Sequence, residues 1–212
     1  ILVNGATGIG TGFSTSIPCY HPQDLIELLK KLIKGEKYKK IHPYYHKFEG
    51  KMKKLDTKSY QVSGMYKVDS NKKIVTVSEL PVGEWTNNYK QYLEKMLDSD
   101  SNFSSYDNNS TDEKVLITLK FKKLPTKLDD KLKMNKKINL TNLHAYTEKG
   151  NIQKFQNIDE IITNFYSVRL AGYYKRKEYL LEIYKHQMDI MKYKVKFIKE
   201  IIKKTLVINN KK

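Results

Sequence analysis

Three sets of residues in this chain have types and spacings that chemistry could use. Asp98-Ser99-Asp100 places two carboxylates one residue apart, a pattern that can hold a hard divalent cation. The pair lies in a polar, Ser/Asn-rich stretch rather than at the end of an apolar strand, and no glutamate is placed beside it, so it reads as surface acid. His42 and His46 are four apart, the spacing of a metal pair on one helix face. Pro43 between them opposes such a helix and no third ligand is in view, which leaves surface histidines and no metal site. Sixteen tyrosines raise the question of a tyrosine nucleophile, but none sits in a recognisable catalytic setting. They read as core, seam and stacking residues. With no Ser/His/Asp or Cys/His arrangement either, no catalytic residue is assigned.

Residues 1–18, ILVNGATGIGTGFSTSIP, carry a different signal. Gly5, Gly8, Gly10 and Gly12 allow close approach of backbone to backbone or ligand, and positive φ without steric cost. The run Gly8-Ile9-Gly10-Thr11-Gly12-Phe13 misses the last position of the dinucleotide fingerprint, and no Gly-Lys-Ser/Thr follows to make a P-loop. Ile9 stands alone between Gly8 and Gly10. Two readings follow: a tight turn with Ile9 in the local core, or an apolar wedge offered to a stack of bases. On the second, Gly8, Ile9 and Gly10 are DNA-contact candidates.

A lysine run follows, of which Lys30, Lys31, Lys34, Lys39 and Lys40 are the further DNA-contact candidates. They are either a phosphate-contacting patch or a solvated helix end that complements the helix dipole. The formal net charge of +17 gives a field that attracts nucleic acid or an anionic membrane. Only Arg169 and Arg176 are arginines, and the chain is rich in Lys, Asn, Ile and Tyr, so A/T-rich coding accounts for part of the excess. Bidentate readout favours arginine, so the implied partner is bound electrostatically and without sequence preference.

The elements that must position these groups are an α+β set. At 212 residues and 39% hydrophobic content the chain suffices for one or two domains. Residues 1–17 read as strand, glycine loop, strand. Pro22 opens a helix with Leu25, Ile26, Leu28, Leu29, Leu32 and Ile33 on a broad apolar face, stopped by Gly35. A period of two then predicts strands over 58–68 and 73–80 with a turn at Asp69-Ser70-Asn71. A helix over 84–97 is followed by a mobile polar loop over 98–112, a strand over 115–124, a short helix over 126–134 and short strands over 138–155. From Ile158 to Lys204 a proline-free stretch predicts one very long helix. Leu181, Tyr184, Met188, Met191, Val195, Ile198 and Ile202 alternate spacings of three and four, a coiled-coil seam. The pattern falters through Ala171-Gly172 and Lys175-Arg176-Lys177, where the seam changes partner or the helix bends. Leu206-Val207-Ile208 reads as a strand fragment.

Cys19 is alone, which rules out an internal disulfide and fits a reducing compartment. No apolar run approaches the roughly 20 residues that span a bilayer, so no membrane partner is expected. The chain begins at Ile1 and its first methionine is Met52, so an excerpt of a longer protein is expected.

Taken in order, several of these segments resemble the type IIA DNA topoisomerases of eukaryotes and large DNA viruses. The resemblance rests on Asn4-Gly5-Ala6, Gly8-Ile9-Gly10-Thr11-Gly12 and Ile17-Pro18, then Ser78-Glu79-Leu80-Pro81 with Trp85-Thr86. It continues through Phe165-Tyr166-Ser167-Val168-Arg169-Leu170, Arg176-Lys177 and Val195-Lys196-Phe197-Ile198. Thr7 and Phe13 depart from the acidic residue and tryptophan frequent in the relatives. The resemblance implies the end of a winged-helix DNA-gate region over 1–19, a mixed tower domain with antiparallel sheet over 20–157, the first long helix of a coiled-coil exit-gate arm over 158–204, and the start of the exit-gate region over 205–212. It also implies a homodimeric, ATP-dependent, Mg²⁺-using parent that passes one duplex through another, in the nucleus or, for a virus, in a cytoplasmic factory or virion. Ile9 then matches the isoleucine that inserts between base pairs. The family's nucleophilic tyrosine follows an arginine upstream of this segment, and no Arg-Tyr pair occurs here. The chain alone is therefore expected to hold no cofactor and to bind and help bend duplex DNA without cleaving it. Two other readings stand beside this one: a stand-alone non-enzymatic DNA-binding module, and a basic coiled-coil interaction protein.

Overall fold

The computed structural model describes residues 1–206, which form two units, Ile1–Ile158 and a second beginning at Asp159. The class is α+β, with antiparallel sheets in the first unit. In chain order the first unit holds β1 (Ala6–Gly10), β2 (Phe13–Ile17), α1 (Pro22–Lys34), β3 (Lys51–Asp56), β4 (Ser59–Ser63), β5 (Met65–Asp69), β6 (Ile74–Glu79) and α2 (Thr86–Ser99). It continues with β7 (Phe103–Asn108), β8 (Ile117–Phe121), α3 (Leu128–Lys131), β9 (Asn135–Asn139), β10 (His144–Tyr146) and β11 (Ile152–Lys154). β1-β2 and β10-β11 are two-stranded, β3-β4-β9 is three-stranded, and the four-stranded sheet runs β5-β6-β8-β7.

The main core lies on one face of the four-stranded sheet. Val75 and Val77 of β6, and Ile117, Leu119 and Phe121 of β8, alternate inward, the period a half-buried strand requires. Tyr89, Leu93 and Met96 of α2, spaced four and three, present one helical face to the same cluster. The Tyr89 hydroxyl donates to the Leu132 carbonyl at 2.9 Å, so the ring is buried with its polar tip satisfied. Burial pushes that hydroxyl's pKa up, with Tyr92 adding to the shift.

α1 forms as its sequence directs. His21 Nδ1 accepts from Gln23 N–H, Pro22 occupies the first turn, and Gly35 closes the helix with φ 69°, its N–H donating to the last carbonyls. Its buried face is narrower than the apolar pattern predicts: Leu28 is buried, whereas Ile26 and Ile33 are exposed.

Three further expectations are corrected. Residues 1–17 do not place the first strand ahead of the glycines; Gly8 and Gly10 lie within β1 itself, and Thr11-Gly12 makes the turn. The single strand expected over 58–68 is two strands in different sheets. At Gly64 a Cβ would lie 2.3 Å from the Glu79 carbonyl oxygen, so the backbones there meet closer than any side chain permits. The loop expected over 98–112 contains β7, one of the two edge strands of the four-stranded sheet. Phe103 is its buried anchor, with its ring 5.1 Å from that of Phe121. A bulge between Phe103 and Ser105 breaks the alternation that would reveal the strand in sequence.

In the second unit, the helix α4 (Ile158–Ile202) is continuous through Ala171-Gly172 and Lys175-Arg176-Lys177. Its 45 residues span roughly 70 Å at about 1.5 Å each. Leu181, Tyr184, Met188, Met191, Val195, Ile198 and Ile202 are all exposed along it. Most of the strand fragment expected over 206–208 lies outside the described residues.

Candidate nucleic-acid interface

The β1-β2 hairpin pairs Thr7 with Ser16, Ile9 with Ser14 and Gly10 with Phe13. Directly opposed residues of an antiparallel pair share a face, so Ile9 shares its face with Thr7, Ser14 and Ser16. Those same-face neighbours are all polar, and Ile9 is 93% exposed. The reading of Ile9 as a core residue is therefore incorrect. A Cβ at Gly8 would meet nothing within 4 Å, and one at Gly10 only the Phe13 carbonyl at 3.9 Å. The two glycines are not forced by crowding; they lie on the opposite face of the strand from Ile9. At the root of the hairpin the constraint is different. Gly5 has φ 67°, and a Cβ there would lie 2.8 Å from the Ile17 carbonyl oxygen and 3.0 Å from Cys19 Sγ. The chain crosses itself there as only glycine allows.

β2 of the hairpin is held by a segment more than 120 residues away. Ser16 N–H donates to the Asn142 carbonyl at 2.8 Å and the Thr15 hydroxyl to the His144 carbonyl at 2.8 Å. Asn142 Nδ2 donates to Ser14 Oγ at 2.9 Å, and the Phe13 and His144 rings meet edge to face at 6.2 Å. Between the two hairpins lies an open groove of about 320 Å³ whose lining includes Ile9, Phe13, His144, Tyr146 and Ile152. Tyr146 is exposed at its rim. Sequence reading did not single out Asn142, His144 or Tyr146, because nothing in chain spacing connects them to residue 9.

Lys30 and Lys34 are exposed on α1, and Lys39 and Lys40 are exposed beyond it. Lys31, Lys39 and Lys40 line one cleft of about 230 Å³ together with the carboxylates of Asp24 and Glu27. None of these lysines forms an ion pair among the described residues. A second basic surface comes from sheet register: Lys53, Gln61 and Lys137 are cross-strand neighbours on one face of β3-β4-β9, next to the row of Lys51, Ser63 and Asn135. The period-two lysines of Lys51-Met52-Lys53 were the available signal.

Asp100 and His42, two of the groups considered for metal chemistry, have partners within the fold. Asp100 pairs with Lys131 at 2.7 Å and accepts from Asn102 N–H at 2.9 Å, and the Lys131 contact leads in lowering its carboxyl pKa below the ordinary value. His42 Nδ1 lies 2.6 Å from the Tyr60 hydroxyl. His46 is exposed in a turn. Tyr45 lines a small cavity with Cys19; burial first, and the nearby thiolate second, push its pKa up to about 12.

In chain order, a long helix follows an antiparallel α+β unit with a glycine-built hairpin. The chain belongs to the DNA gyrase/topoisomerase IV A-subunit family, whose pattern it matches along residues 1–212. It is 35% identical over 230 residues to DNA topoisomerase 2 of Candida albicans, covering 100% of this chain and 15% of that protein. To DNA topoisomerase 2 of Acanthamoeba polyphaga mimivirus it is 33% identical over 275 residues, covering 98% of this chain and 22% of that protein. The topoisomerase II DNA-binding, cleavage and re-ligation domain of Plasmodium falciparum superposes with a TM-score of 0.91 at 30% identity, over 100% of this chain and 30% of that one. The chain thus spans about a fifth or less of the length of these curated relatives, and corresponds to a segment of topoisomerase II.

Proposed function

We propose that this chain is the DNA-contacting and scaffold portion of an ATP-dependent type II topoisomerase that passes one duplex through a transient break in another. The observation that carries the reading is Ile9, a bare aliphatic side chain on the polar face of a clamped hairpin. Burying such a side chain is worth about 1.5–3 kcal/mol, and unstacking a base step costs a few kcal/mol. Insertion therefore comes near to balance by itself. The bend tips it by laying more phosphate against Lys30, Lys31, Lys34, Lys39 and Lys40 and the lysines of the three-stranded sheet.

In this reading residues 1–19 close the winged-helix gate region, 20–157 form the tower and 158–204 the first arm helix, with 205–212 leading into the exit gate. The partners are duplex DNA, the rest of the polypeptide and a second copy in the dimer. The transesterifying tyrosine, the Mg²⁺ carboxylates and the ATPase belong to other parts of the parent. Asp98 and Asp100 do not fit a magnesium site, since Lys131 already occupies the Asp100 carboxylate. The parent acts in the nucleus, or in a viral factory or virion if the source is viral, as the mimivirus relative allows.

The test is bending, read by energy transfer between dyes at the ends of a duplex bound by the full-length protein. Ile9→Ala is expected to reduce bending sharply while leaving the melting temperature nearly unchanged. Undiminished bending would refute the wedge.

A further inference from the structure

We propose that Asn142 is a positioning residue for Ile9, holding the β1-β2 hairpin so that it can transmit force to DNA. The inference rests on the reading of Ile9 as a wedge. A two-stranded ribbon is marginally stable alone, and β1 is exposed along most of its length. A wedge on such a ribbon would give way before the base stack did. What stiffens it is Asn142, whose backbone carbonyl, Nδ2 and Oδ1 are each engaged. Its carbonyl accepts from Ser16 N–H at 2.8 Å. Its Nδ2 donates to Ser14 Oγ at 2.9 Å, and Ser14 is the residue directly opposite Ile9. Its Oδ1 lies 2.8 Å from His144 Nδ1. That bond fixes the imidazole edge against Phe13 at the hairpin tip.

The clamp is itself anchored. Leu143 is fully buried, its carbonyl accepts from Phe155 N–H at 2.8 Å, and Leu140 N–H donates to the Lys58 carbonyl at 2.7 Å. Load on Ile9 passes through Ser14 and Asn142 into this buried layer rather than into a free loop.

Two readouts test this in the full-length protein. First, amide hydrogen exchange over residues 6–17 without DNA should quicken about five-fold in Asn142→Ala, the scale of one neutral hydrogen bond. Exchange in β6 and β8 should stay unchanged. Second, duplex bending should fall in Asn142→Ala and in Ser14→Ala, and the double variant should be no worse than the more affected single one. Ile9→Ala serves as the control for the wedge itself. If Ile9→Ala abolishes bending while Asn142→Ala bends DNA normally, the positioning role is wrong and the wedge stands. If Ile9→Ala bends normally, the wedge is wrong and the role of Asn142 in DNA bending goes with it. Unchanged exchange across the hairpin, or additive losses in the double variant, would overturn the role of Asn142 directly.

Discussion

At the scale of single residues, exposure separates the two roles an isoleucine between glycines could have. Truncating a packed isoleucine costs about 2–5 kcal/mol, whereas truncating an exposed surface side chain stays within about 0.5 kcal/mol. Ile9→Ala should therefore leave the urea midpoint where it is, and a large loss would return Ile9 to a packing role. Asp100 makes the opposite kind of prediction. Its carboxyl is held below its ordinary value of 3.8 by Lys131 and by Asn102 N–H. A lowered folded-state pKa contributes stability above the unfolded value that is lost as pH falls through the folded one. Wild type should thus be more stable than Asp100→Asn at neutral pH, and the gap should close as pH falls below the ordinary carboxyl value of 3.8 and through the lowered folded-state one. A gap that stays constant in acid melts would show that the charge contributes nothing.

At the scale of elements, the three-stranded and four-stranded sheets of the first unit diverge at one point. Gly64 N–H donates to the Met134 carbonyl at 2.9 Å, and the missing Cβ leaves room for the Glu79 backbone. Gly64→Ala should cost roughly 1–3 kcal/mol, as overpacking of a tight contact does. A urea melt matching wild type would mean the strands separate easily there. The helix α4 poses the converse problem, a regular element with an exposed seam. Met188, Met191, Val195 and Ile198 have no covering in this chain among the described residues, and helices owe most of their stability to a packed face. Helicity over 180–204 should therefore be frayed in the isolated chain and rise when downstream sequence supplies the returning helix. Circular dichroism of the two lengths decides it, and equal helicity per residue would count against the coiled-coil arm.

At the scale of the whole molecule, charge sets the behaviour more than any single contact. Forty basic against 23 acidic residues, with only two arginines, give the chain a positive field carried almost wholly by lysine. The 212-residue chain should bind duplex DNA weakly, with no sequence preference and with affinity falling steeply as salt rises. Supercoiled plasmid with ATP and Mg²⁺ should be neither relaxed nor cleaved by it. A covalent protein–DNA adduct formed by this chain alone would sink the assignment of the chemistry to other parts of the parent.

The elements legible in the sequence are those whose signals are local. α1 carries its own cap, proline and terminal glycine, α2 and α4 carry helical periodicity, and the motifs that resemble topoisomerases lie in short contiguous runs. β7 was not legible, because a bulge and a polar edge face erase the alternation that marks a strand. The split of residues 58–68 into two sheets was not legible either, since the reason for Gly64 is the Glu79 backbone, which is remote in sequence. For the site, the residue at its tip could be read from glycine spacing, and its exposure could not. The sequence by itself determined that Ile9 is flanked by glycines. Only the tertiary structure decided that its face is polar, and that Asn142, 128 residues beyond Ser14, grips the strand opposite it. Hydrogen bonds between distant segments depend on how the chain folds back, and no local pattern of residues encodes that return.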